Sequence, residues 1–228
     1  MNTCLRLTLA GALACICAAT DAQSVLFDFN GGPQYSGTPL DQYSSGIRAH
    51  FWGQNEGLYS PSYSIQNIAQ VIGMYPTGFT GLGLSPDSVF GADLHIAFFR
   101  MGDGSAVPLT NLSIMVAPQE LSCDSSSTMQ ITAYRHGQLV GTRTAIAPQL
   151  DNYLWPTIDV GFSSAQTFDS VTIHFLSGPP TGGDWGGIFV ADNLSIMATP
   201  EPSGMAGLGL GVLAITLLAR QRRRARLR

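Results

Sequence analysis

Aromatic rings, carboxylates and the thiol of Cys123 carry most of the chemistry open to this chain. Trp52, Tyr59, Tyr63, Trp155 and Trp185 are candidates to stack on sugar rings, because an indole or phenol is a rigid, flat apolar surface with a polar tip. Asp184 and Trp185 sit in Ser177-Gly178-Pro179-Pro180-Thr181-Gly182-Gly183-Asp184-Trp185-Gly186-Gly187. A Gly/Pro loop of that length can hold binding residues while strands hold shape, so this pair is the expected ligand contact. The competing role for each ring is core, and Trp52, ending an apolar run, reads as core. Cys123 could act as a nucleophile with His95, His136 or His174 as its base. Its surroundings, Glu120-Leu121-Ser122-Cys123-Asp124-Ser125-Ser126-Ser127, read instead as a polar loop with a bystander thiol. A glycosidase needs two carboxyl groups about 5–9 Å apart, which chain spacing does not fix. G-x-S-x-G, H-E-x-x-H, P-loop and paired-cysteine zinc patterns are absent from the sequence. The expectation is a non-catalytic protein, with a secreted glycan hydrolase as the alternative.

Charge narrows the partners. The 228 residues include no Lys, and six of the eleven Arg crowd positions 220–228. Residues 23–198 hold thirteen acids and four bases, a formal charge of −9. Such a domain repels phosphate backbones, so no nucleic acid is expected. Acidic side chains in an exported protein can instead hold divalent cations.

The two ends read as addresses. Residues 1–22 fit a signal peptide: Arg6, an apolar run from Leu7 to Ala19, then Thr20-Asp21-Ala22 with small residues where a peptidase reads. Residues 199–228 begin with Thr199-Pro200-Glu201-Pro202-Ser203, continue as an apolar stretch from Gly204 to Ala219, and end in arginines that include Arg222, Arg223 and Arg224. An apolar segment with a basic end stops in a membrane with its basic side in the cytoplasm. The order Pro200-Glu201-Pro202, apolar stretch, Arg run resembles the PEP-CTERM sorting signal. That resemblance implies an exosortase-type processing enzyme as partner, and a host that makes exopolysaccharide and grows in biofilms. It also implies a membrane-anchored precursor that ends on the outer surface or in the extracellular matrix. A plain single-pass anchor with stop-transfer arginines is the alternative reading of the same segment.

Between the ends, 23–198 reads as one all-β domain. Apolar runs are short, rich in β-branched and aromatic residues, and separated by Gly, Pro, Asp and Ser clusters. Strands are expected at 24–29, 46–52, 65–72, 93–100, 112–117, 129–135, 139–145, 170–176 and 187–197. His136-Gly137 suits a tight hairpin turn. Val171, Ile173 and Phe175 fall on one face and Thr172 and His174 on the other, which makes His174 an exposed strand histidine. Phe27-Asp28-Phe29, Gly37-Thr38-Pro39-Leu40 and Ala191-Asp192-Asn193-Leu194 resemble the opening and closing strands of jelly-roll domains in exported PEP-CTERM proteins. The resemblance implies a jelly-roll, lectin-like β-sandwich that could bind carbohydrate. It also implies adjacent first and last strands, which a structural Ca²⁺ could tie through Asp28 and Asp192 with help from Asn30. Backbone hydrogen bonds are the alternative role for the two aspartates.

Overall fold

Period-two alternation, rather than any helical pattern, governs the chain, and the computed structural model follows it. It describes residues 22–35, 37–54, 63–87, 93–118, 127–147, 156–177 and 188–199. The expected signal peptide and sorting tail, with Pro200, Glu201, Pro202, Arg222, Arg223 and Arg224, lie outside these residues. So do Tyr59, Cys123, Trp155, Asp184 and Trp185.

The strands are β1 (Gln23–Phe27), β2 (Leu40–Ser44), β3 (Ile47–Gln54), β4 (Tyr63–Asn67), β5 (Leu82–Pro86), β6 (Asp93–Arg100), β7 (Leu109–Pro118), β8 (Thr128–Arg135), β9 (Gln138–Ile146), β10 (Ile158–Phe168), β11 (Ser170–Ser177) and β12 (Phe189–Ala198). One helical turn, α1 (Ile68–Ile72), follows β4. The first sheet runs β10-β7-β12-β5-β4, with β1 also on β12; the second runs β2-β3-β6-β11-β8-β9. The result is an all-β sandwich of two antiparallel sheets.

The 65–72 run is not one strand, as its apolar content suggested. Asn67 caps a helical turn by accepting from the Gln70 N–H at 3.2 Å, and Gly73, at φ 81°, ends it. Strands β2, β5 and β10 carry Asp, Gly, Pro and Ser, which dilute the β signal, and all three escaped the sequence reading. The hairpin turn formed as expected: His136 and Gly137 take φ 49° and 77° between Arg135 and Gln138. Asp169, largely buried, holds that turn by accepting from the His136 backbone N–H at 2.9 Å and the Ser170 hydroxyl at 3.0 Å.

Inward parity builds the core. Phe51, Phe98, Phe168, Phe189, Ile96 and Leu109 are fully buried, each contributing about 1.5–3 kcal/mol by leaving water. Phe29 meets Phe51 edge-on at 5.4 Å, and Phe162 meets Phe168 likewise at 5.3 Å. The described strand ends that bracket 55–62, 88–92, 119–126, 148–155 and 178–187 all lie at one end of the sandwich, since Gln54 pairs with Asp93, Tyr63 with Pro86, Thr128 with Ile146, and Phe189 with Pro118.

Candidate functional site: the outer face of the second sheet

A strand that sends Ile47, Ala49 and Phe51 inward must send Arg48, His50 and Trp52 outward. On β6 the same rule buries Leu94, Ile96 and Phe98 and turns Asp93, His95 and Phe99 out. On β11 it buries Val171 and Ile173 and turns out Thr172 and His174. Register then assembles these outward residues. Trp52 lies opposite His95, His95 opposite Thr172, and Thr172 opposite Thr132. His50 lies opposite Asp41, and His174 opposite Gln130.

The face has an aromatic centre. The Trp52 and His95 rings stack at 5.1 Å with planes 11° apart, and His50 approaches Trp52 at 5.4 Å. Polar partners fix the imidazoles. The Thr172 hydroxyl lies 2.8 Å from His95 Nδ1. His50 Nδ1 is 2.7 Å from Asp41 Oδ1, and His174 Nδ1 is bonded to Asp93 Oδ1. A carboxylate accepts, so Nδ1–H donates in both pairs and the tautomer is set. Arg48 reaches Asp41 at 3.5 Å and caps the Phe99 ring at 4.7 Å. Burial pushes the His95 pKa down, against the opposing pull of Asp93. His95 Nε2 is buried and has no hydrogen-bond partner among the described residues. Buried polar atoms are nearly always paired, so this nitrogen costs the fold free energy.

Several sequence expectations are met and others corrected. Trp52 is not core: Phe51 occupies the inward position, and its neighbour is half-buried on the outer face. Tyr63 is core, fully buried against Phe189 at 5.6 Å. His174 faces outward as expected but is engaged by Asp93 rather than free. His136 stays at its hairpin turn beside Asp169 at 3.1 Å. Asp41, Arg48, His50, Asp93 and His95 were not identified as a group. The parity of Arg48, His50 and Trp52 within one apolar run was the available signal.

Asp28, Asn30 and Asp192 do come together, on the segment Thr80–Leu82. β12 pairs with β1 from Leu194 onward and with β5 at Ala191, and a bulge at Asp192-Asn193 separates the two pairings. Asp192 is fully buried there and accepts from the Thr80 N–H at 3.2 Å and the Asn193 N–H at 2.7 Å. Asn30 Oδ1 accepts from the Leu82 N–H at 2.9 Å, and Asp28 Oδ1 from the Asn30 N–H at 3.2 Å. Burial raises the Asp192 pKa to about 6; the two N–H bonds oppose this and the Asp28 charge adds to it. The backbone-bonding role given as the alternative for the two aspartates is thus met, and Asp192 fills it from a buried position.

No protein-family model matches the chain, and no curated protein matches it. Among solved structures it is similar to an arabinose-bound α-L-arabinofuranosidase, at 10% identity and a TM-score of 0.43 over 79% of this chain and 27% of that one. The chain therefore spans little more than a quarter of that enzyme's length. It is similar to a family 11 carbohydrate-binding module from Clostridium thermocellum, at 13% identity and a TM-score of 0.33, covering 78% of this chain and 97% of the module. It is also similar to a family 29 carbohydrate-binding module from Piromyces equi, at 9% identity and a TM-score of 0.33, covering 78% and 92%.

Proposed function

We propose that the outer face of the second sheet binds carbohydrate, in a non-catalytic protein exported to the cell surface or extracellular matrix. The observation that carries this is the Trp52 ring, half-buried on the outer face, stacked on His95 and flanked by His50. A sugar offers an apolar C–H face for the indole and hydroxyls for the polar side chains that register places on the same face, His50, His174, Thr132 and Gln130. The test is a glycan array probed with the wild type, Trp52→Ala and His50→Ala. Both variants are expected to lose the wild-type signal by about five- to ten-fold, one hydrogen bond or stacked ring being worth roughly 1–1.5 kcal/mol. A wild-type protein that captures no glycan would refute the proposal.

The strand order supports a jelly roll. β5-β12-β7-β10 faces β6-β11-β8-β9, the interleaving that two Greek keys produce, with the remaining strands added at the edges. The two termini support export: a signal peptide at 1–22 and a sorting tail at 199–228, with exosortase-type processing near Pro200-Glu201-Pro202. Mass spectrometry of the mature C-terminus tests this, since an intact arginine tail excludes processing. Exopolysaccharide is then the natural ligand class for the exported domain.

Asp28, Asn30 and Asp192 suit a hard cation, and we infer a structural Ca²⁺ there. All three offer oxygen, and each oxygen that accepts one backbone N–H keeps a second lone pair. Two carboxylates and an amide are fewer than the six to eight ligands calcium takes, so water must supply the rest. A bound cation would supply the positive charge that the Asp28–Asp192 pair needs.

A further inference from the structure

The sandwich carries a concavity at the margin of the Trp52 platform. Where the end of β1 meets the edge strand β2, a cleft of about 560 Å³ opens. That volume lies in the range of small-ligand sites. Leu26, Asp28, Pro33, Asp41, Gln42 and Tyr43 line it. Three physical features select its ligand. Tyr43, its hydroxyl 3.4 Å from Asp41 Oδ2, is 58% exposed and Leu26 53%, so a flat ring and an apolar wall face solvent. Gln42 supplies both a donor and an acceptor. The charged groups of the lining are both carboxylates. Arg48, which meets Asp41 from β3, belongs to the outer face, and its guanidinium is engaged by Asp41 and Phe99.

We propose that this cleft binds an amino-sugar unit of a glycan, its C–H face on Tyr43 and its protonated amine toward Asp28. A uronate or phosphate would be repelled by the Asp28 carboxylate. A neutral sugar fills the same shape but gives Asp28 no counter-charge, whereas Asp41 already has His50 and Arg48. The cleft adjoins the Trp52 platform through Asp41, whose Oδ1 bonds His50 on the face while its residue lines the cleft.

The test is isothermal titration calorimetry of the full chain with a glucosamine tetramer, its N-acetylated counterpart and a glucose tetramer. It is run at pH about 6, where an aliphatic amine is protonated. EDTA is present throughout, because Asp28 also belongs to the inferred cation site. The glucosamine tetramer is expected to bind at least about ten-fold more tightly than either neutral probe, with affinity falling as salt rises. Tyr43→Ala, an exposed position, should weaken it about ten-fold. Asp28→Asn should remove the preference over the neutral probes. In the Trp52→Ala chain the preference for the glucosamine tetramer over the neutral probes should persist, because Asp28 and Tyr43 are intact, and its loss there would assign the preference to the outer face and overturn the proposal. Equal binding of all three probes, no heat from the glucosamine tetramer, or indifference to Tyr43→Ala would each overturn the proposal.

Discussion

Asp192 makes the stability of this sandwich depend on pH in a direction opposite to that of a salt-bridged acid. Its carboxyl is fully buried, and its pKa stands at about 6 against an ordinary 3.8. The folded state therefore holds its proton more tightly than the unfolded chain. Between pH 3.8 and about 6 the native protein binds more protons, so this residue's contribution to stability falls as pH rises through that window. At 1.36 kcal/mol per pKa unit, the full swing is about 3 kcal/mol. Other groups titrate in the same range. His95, whose pKa burial lowers, destabilises the fold as pH falls below 6.5 and so opposes Asp192. The Asp192→Asn variant isolates the effect, because asparagine does not ionise and the cost of any lost hydrogen bond is constant with pH. Urea unfolding of wild type and variant at pH about 4 and about 7.5 gives two stability differences. The wild type is expected to lose about 2 kcal/mol relative to the variant between them, the larger part of the full swing, since pH about 4 already lies just above the unfolded-state value. Parallel profiles would refute the reasoning, and with it the claim that this carboxyl is held in an apolar, like-charged setting.

Calcium should act on the same group. Above pH about 6, calcium at a hundred times its Kd should add roughly 2.7 kcal/mol, raising Tm, and EDTA should reverse it. The gain should shrink near pH about 4, where the Asp192 carboxyl holds a proton. No shift with EDTA at neutral pH removes the cation from the account. Asp169→Asn should destabilise by about 1–3 kcal/mol in urea unfolding, because the buried oxygen that takes the His136 N–H loses its charge, while glycan binding stays unchanged. Trp52→Ala should reduce glycan capture about ten-fold at a stability cost below about 1.5 kcal/mol, since the ring is half-buried on an outer face.

The part of the fold that alternation encodes was readable, and the failures have specific causes. β8 follows its parity closely, burying Met129, Ile131 and Ala133, and His136-Gly137 joins it to the largely exposed edge strand β9 through a turn that needs positive φ. β2 escaped because Asp41, Gln42 and Tyr43 look like loop residues. They form a strand only because β3 supplies a partner for every one of them, Asp41 opposite His50 and Tyr43 opposite Arg48. The same dependence hid the binding face. Trp52 beside Phe51 offers two large apolar rings, and composition alone puts both inside. Only pairing with β6 decides the phase, by setting Phe51 against the buried Ile96 and Trp52 against His95. The cluster Asp28, Asn30 and Asp192 was readable for a different reason. These residues sit where the first and last strands approach, so a resemblance in strand order was enough to bring them together. Their chemistry was not, because the burial of Asp192 follows from a bulge at Asp192-Asn193 that no local pattern announces. Residue types thus mark which side chains can act, while cross-strand register decides which of them meet. For this domain the register gathers three imidazoles, two of them bound to aspartates, and one indole on a single open sheet face. A protein with no use for that face would be expected to fill it with Thr and Ser, not to set a half-buried indole among three imidazoles on it.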